Sequence, residues 1–222
     1  MTEVAPQVVP IFATPFALAS VPGADALNPA LASLLSQRAT PEGADMANHQ
    51  AHTYQSRPNL FDWTEEPVSW IRTGLIDLVS GFARSINEFS DEQFAGFRVQ
   101  ARSWFTIVRP DGCVPSHSHA NAAWCALYCV AAPQVAADRF DSGVLRLHES
   151  YRPSMFTDAT NSATQLPYRP GHSTWRPVPG QLVIFPASIV HEIALLRGMG
   201  ELILVTAIMR FLAPGQTGIP LW

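Results

Sequence analysis

The chain contains no lysine; all fourteen of its basic residues are arginine. Schiff-base catalysis and a lysine anchor for a substrate carboxylate are therefore excluded. Charge is scarce altogether, at 14% of residues with a net of −4, and no basic block offers a footprint for nucleic acid or an anionic membrane. Cysteine is limited to Cys113, Cys125 and Cys129, an odd set without paired C-x-x-C motifs, so no disulfide framework is expected. The apolar runs are too short to cross a bilayer, and the N-terminus lacks the basic segment and apolar stretch of a secretory leader. Together these absences predict a soluble protein of the reducing cytoplasm, with no nucleic-acid and no membrane partner. The sequence does not fix the assembly, and a homodimer is carried as an expectation.

What is present points to one folded domain. The 222 residues are 47% hydrophobic, ample for a full core. An apolar run at Val8–Phe12, broken by Pro10, reads as an edge strand or extended arm. Asn28-Pro29 reads as an N-cap and first helical residue, opening a short helix to about Arg38 with Leu31, Leu34 and Leu35 on one face. Residues 39–66 are polar and without periodicity, which predicts a long surface loop able to cover a site. From Pro67 to about Phe89, Val68, Ile71, Leu75, Leu78, Val79, Phe82 and Ile86 recur at three- and four-residue spacing, the signature of one long helix.

Beyond the helix the chain reads as strands and turns. The main runs are Val99 to Arg109, Trp124 to Val130, Gly143 to Leu147, Gln181 to Phe185 and Leu202 to Leu212, bounded by turn signals such as Arg109-Pro-Asp-Gly112. A β-sandwich or barrel follows. The polar segment Tyr151–Arg176 reads as a loop across one end. The chain divides on this reading into an arm and helices over 1–95, a β core over 96–213 and a tail over 214–222.

Two histidines, His117 and His119, stand two residues apart just ahead of the strand-like run from Trp124, and a third, His191, follows a distant strand and a Pro-Ala-Ser turn. On extended backbone the first two imidazoles face one side, which is how a sheet presents two metal ligands. Three protein ligands with an opposite open face suit oxygen-activating Fe(II), and three histidines with an open position also suit zinc. His49, His52, His148 and His172 lack such a setting and read as surface or hydrogen-bonded residues. Cys125, Leu127 and Cys129 share strand parity, so two thiols are expected to line the barrel as small hydrophobes.

The order of Trp104, the Arg109-Pro-Asp-Gly112 turn, His117-Ser-His119, Ala126-Leu-Tyr128, Gly143-Val-Leu145, Pro179-Gly-Gln-Leu-Val-Ile-Phe-Pro186 and His191 resembles a bacterial branch of the iron- and 2-oxoglutarate-dependent dioxygenases. Ile11-Phe-Ala-Thr-Pro15, Leu27-Asn28, Leu31 and Asn59-Leu-Phe61 extend the likeness toward the N-terminus. The resemblance implies a double-stranded β-helix, a jelly-roll or cupin-like barrel with N-terminal helices packed on one sheet. It also implies that His117, His119 and His191 bind iron, and that oxidative decarboxylation of 2-oxoglutarate drives oxidation of a small molecule or amino-acid derivative by O2. No protein residue beyond the metal ligands is then needed as acid or base.

Two positions depart from that family's pattern. Its arginine about ten residues after the last histidine, which grips the distal carboxylate of 2-oxoglutarate, is replaced by Glu201 and Leu202. One of two consecutive tyrosines is also replaced, leaving Tyr128 followed by Cys129. Strand parity nominates substitutes. Arg102, Trp104 and Thr106 share one face of their strand, making Arg102 the first candidate for the carboxylate, with Tyr128 retained as a further contact. Arg210 shares the inward face of the last strand but is expected at the end far from the metal, and Arg197 lies in the loop after His191. Two other functions fit the residues: a three-histidine iron oxygenase of the same fold that uses no oxoacid, and a non-catalytic jelly roll holding zinc or nothing.

Overall fold

The computed structural model describes residues 13–48, 50–134, 139–149, 163–165, 168, 171–218 and 221. The expected arm at Val8–Phe12 and most of the expected loop Tyr151–Arg176 lie outside the described residues, as do His49 and part of the 214–222 tail.

Two antiparallel sheets face each other. The larger has six strands, ordered β1 (Ala17–Ser20), β8 (Gln181–Pro186), β5 (Trp124–Ala131), β10 (Leu202–Leu212), β3 (Arg98–Val108) and β2 (Thr53–Gln55). The smaller has four, ordered β4 (Val114–His117), β9 (His191–Ile193), β6 (Leu145–His148) and β7 (His172–Trp175). The fold class is as expected: mainly β, a double-stranded β-helix, with helices laid on the outer side of the larger sheet.

Both faces of the larger sheet are buried, which explains why β10 reads as the nearly unbroken apolar run LILVTAIMRFL rather than an alternation. Its outward residues Phe105, Ile107, Ala126, Tyr128, Val205 and Ala207 pack on α1 (Ala24–Arg38) and α2 (Glu66–Ile86), through Leu31, Leu35, Val68, Ile71, Leu75 and Val79. Its inward residues, among them Cys125, Leu127, Cys129, Val183, Leu202 and Leu204, meet Leu145 and Ile193 of the smaller sheet. The two cysteines thus line the barrel interior, and burial raises both thiols, that of Cys129 to about 12. They are packing groups rather than nucleophiles.

Three expectations are corrected. The first helix begins a turn earlier than Asn28-Pro29: Gly23, at φ +82°, supplies the left-handed residue that turns the chain into α1. Asn28 is then an inward residue of the helix, and the burial of Asn28, Leu31 and Leu35 outweighs the hydrogen bond that Pro29 cannot donate. The segment 39–66 is not a plain loop, since β2 pairs with β3 and Ser56 Oγ accepts from the Phe105 amide at 3.0 Å. The division at residue 95 also fails, because β1 and β2 from the N-terminal part join the larger sheet. A short helix α3 (Asp91–Ala95) went unread, although Ser90 and Gln93 form its capping box.

Candidate metal centre

The ligand-bearing strands meet at the mouth of the barrel. β4 pairs with β9 so that His117 and His191 are direct register partners, while His119 follows β4 and its amide donates to the Ala187 carbonyl at 2.8 Å. The three ring centroids stand 4.9 Å (His117–His119), 4.4 Å (His117–His191) and 5.3 Å (His119–His191) apart. One nitrogen from each ring can be chosen such that all three lie within 4.8 Å of one another. Residues 74 apart in sequence, His117 and His191, are brought together by the sheet.

Backbone carbonyls select the tautomers. His117 Nδ1 donates to the Pro115 carbonyl at 2.8 Å and His191 Nδ1 to the Ile189 carbonyl at 2.9 Å, which leaves each Nε2 lone pair free to face a common point. His119 Nε2 is buried and has no hydrogen-bond partner among the described residues. A buried unsatisfied nitrogen is costly unless something ligates it. Trp104 packs edge-on against His119 at 5.3 Å and Phe185 against His191 at 5.0 Å, holding both rings. Burial and the neighbouring imidazoles push His119 down to about 3 and His191 down to about 4, so both are neutral near pH 7, as ligation requires.

The donor set fits a divalent metal. It is all nitrogen, one negative charge short of the usual two-histidine, one-carboxylate arrangement. The carboxylate nearest in sequence, Glu192, points to the opposite face of β9, where Ser116 Oγ donates to it at 2.5 Å and Arg146 Nη1 at 3.1 Å.

A cleft of about 490 Å³ opens beside the histidines. Its wall includes His117, His119, Arg102, Trp104 and Ile208 from the barrel, and Asp45, Gln50, Thr53, Gln55 and Pro58 from the 39–66 segment. The expectation that this segment covers a site thus has a physical counterpart, though sequence patterning did not single out Asp45, Gln50 or Gln55. Arg102 contributes the one guanidinium of this wall among the described residues, and its Nη1 donates to the Leu221 carbonyl.

The remaining candidates lie elsewhere. Thr106 is buried on the inward face of β3 but does not line the cleft. Arg210 is one inward step beyond Ile208 on β10, at the cleft's end of the strand rather than far from it as expected, with Nε donating to Gln100 Oε1 at 2.8 Å. Arg197 is exposed, and among the described residues its backbone is held by Ser142. Glu201 pairs with Arg109 at 2.9 Å on the surface, while Leu202 and Cys129 close the barrel interior with apolar surface.

Tyr128 is a correction. It faces the helices, not the cleft, and its hydroxyl donates to Asn28 Oδ1 at 2.6 Å. Tyr128→Phe is expected to lower stability by about 1–3 kcal/mol, the cost of stranding a buried acceptor, with metal and oxoacid affinity unchanged. Denaturant unfolding alongside ligand titration checks both halves.

The two-sheet β-helix thus carries a His-x-His pair and a distal histidine at its mouth, a group that could hold a metal ion. Residues 102–205 match the family model described as "Putative 2OG-Fe(II) oxygenase", so this part of the chain is similar to the 2OG-Fe(II) oxygenases, oxidoreductases whose cofactors are Fe(II) and 2-oxoglutarate. The fold is similar to that of a prolyl-4-hydroxylase from Pseudomonas putida, at 17% identity and TM-score 0.57 over 88% of this chain and 91% of that one. It is similar also to HygX from Streptomyces hygroscopicus, solved with nickel, 2-oxoglutarate and hygromycin B, at 15% identity and TM-score 0.59 over 93% and 86% of the two chains. AviO1 from Streptomyces viridochromogenes aligns at 18% identity and TM-score 0.55 over 94% of each. No curated protein matches the chain.

Proposed function

We propose that His117, His119 and His191 hold Fe(II), and that Arg102 receives the distal carboxylate of 2-oxoglutarate in the adjoining cleft, in support of oxidation of a small molecule or amino-acid derivative. The observation that carries this reading is the convergence of three imidazoles whose ring nitrogens lie within 4.8 Å, one of them buried and unpartnered. Fe(II) supplies the oxygen-activating chemistry when bound. The chain's own residues orient and shield: Trp104 and Phe185 fix the ligand rings, and Leu202, Leu204 and Cys129 keep water from the barrel interior. Asp45, Gln50 and Gln55 line the cleft with hydrogen-bonding groups suited to a polar substrate.

Arg102 stands in for the family's last-strand arginine because a carboxylate buried against Leu202 would have no cation. Three free cysteines, two of them buried, accord with a reducing cytoplasm. The test is conversion of 2-oxoglutarate to succinate by the iron-loaded chain. Iron- and O2-dependent succinate release is expected, and the absence of both binding and turnover with reconstituted iron would sink the reading.

The apolar surroundings of Cys129 and Leu202 favour one second reading, a three-histidine oxygenase that binds substrate directly and uses no oxoacid. Oxygen uptake dependent on substrate alone would distinguish it.

A further inference from the structure

The backbone ladder that joins the two ligand strands is weak. Between Val114↔Ile193 and His117↔His191 the register shifts: three steps along β4 oppose two along β9. The extra residue lies at Pro115-Ser116, immediately before the first ligand, and Pro115 has no amide to donate. Yet the spacing of His117 and His191 across this pair must be fixed if both are to reach one metal ion.

On the outer face of the smaller sheet, behind the two histidines, a side-chain chain crosses the same junction. Ser116 Oγ donates to Glu192 Oε2 at 2.5 Å, and Arg146 Nη1 of β6 donates to Glu192 Oε1 at 3.1 Å. Ser116 directly precedes His117, Glu192 directly follows His191, and Arg146 is the register partner of Glu192. His148 Nε2 stands 3.7 Å from Glu192 Oε2 on the same face. The Glu192 side chain is 21% exposed and that of Arg146 30%, so the pair is held in a partly dry setting where such contacts count for more than on an open surface.

We propose that the Ser116–Glu192–Arg146 bridge is a positioning device for the metal centre: it replaces the ladder bonds lost at the Pro115-Ser116 bulge and sets the distance between His117 and His191. The inference rests on the reading of those two histidines as ligands. Glu192 is thereby given a role other than ligation, which accounts for a carboxylate beside His191 that the centre does not use. Groups one shell out from a metal typically govern its affinity by about 10–100-fold.

The test is a titration of the full chain with Co(II) alone, read by its visible absorption, for wild type, Ser116→Ala, Ser116→Thr, Glu192→Gln and His117→Ala. Ser116→Ala and Glu192→Gln are expected to weaken Co(II) binding by about tenfold or more and to alter the absorption envelope. Ser116→Thr, which keeps the hydroxyl, is expected to restore both. Affinity and spectrum equal to wild type in the folded Ser116→Ala protein would overturn the bridge, whatever Glu192→Gln does to folding. Undiminished binding in His117→Ala, or none in wild type, would instead overturn the ligand reading on which the bridge rests.

Discussion

His119→Ala is expected to abolish Fe(II) binding in practice, with a loss greater than the roughly 100-fold at the upper end for an outer-shell partner. Succinate formation should fall with it. The same substitution should scarcely harm the metal-free fold. His119 Nε2 is buried without a partner among the described residues, and burial drives the ring's pKa down to about 3, so the site bears a cost that only a ligated ion relieves. Removing the ring exchanges that cost for a small cavity at the edge of Trp104. Thermal unfolding resolves the two effects. Iron at 100 times its Kd should stabilise wild type by about 2.7 kcal/mol and His119→Ala hardly at all. A melting temperature in His119→Ala that still rises with iron as in wild type would contradict the ligand assignment.

Arg102→Ala is expected to raise the KM for 2-oxoglutarate by about 10–100-fold, the equivalent of one or two hydrogen bonds to a charged group. Iron affinity should be unchanged, because Arg102 touches the cleft and not the ligand nitrogens. Arg102→Lys should fall between, since it keeps the charge but loses the planar fork that meets a carboxylate with two bonds. Arg197→Ala, exposed and outside the cleft, serves as the control and should match wild type. Steady-state kinetics at varied 2-oxoglutarate separates these outcomes, and an unchanged KM in Arg102→Ala would remove it as the anchor.

Much of the fold was legible because its long elements carry strong patterns. Val68, Ile71, Leu75 and Val79 marked α2 by spacing alone, and the run Leu202–Leu212 marked a strand buried on both faces. The histidine constellation was legible for a similar reason: parity on extended backbone orients His117 and His119, and His191 stands directly after a strand-like run and a Pro-Ala-Ser turn. What escaped was set by tertiary contact. β2 and β9 have three residues each and exist only through their partners, so no local signal announces them. Asn28 looked like a helix cap because asparagine before proline usually is one, but its amide oxygen is claimed by Tyr128 from the sheet below.

Tyr128 shows the limit of motif reasoning against parity. Once Cys125, Leu127 and Cys129 are assigned to the barrel interior, Tyr128 must face the helices, and that inference was available from the alternation of β5 itself. Arg210 shows the limit of parity in turn. It gives the face of β10 but not which end lies beside the cleft, which depends on Ile208 pairing with Arg102. The polar wall from Asp45 to Gln55 depends on a segment without periodicity folding back over β3, a placement fixed by Ser56 and the short strand β2.

The central claim is that one site holds iron through three histidines and an oxoacid through Arg102. It is tested most directly by anaerobic titration of the iron-loaded chain with 2-oxoglutarate, following the visible charge-transfer band that a 2-oxo acid produces when it chelates Fe(II). The band should appear and saturate in wild type, require higher 2-oxoglutarate in Arg102→Ala by the same factor as the KM, and be absent in His119→Ala. An iron-loaded wild-type chain that develops no band at saturating 2-oxoglutarate would contradict the account.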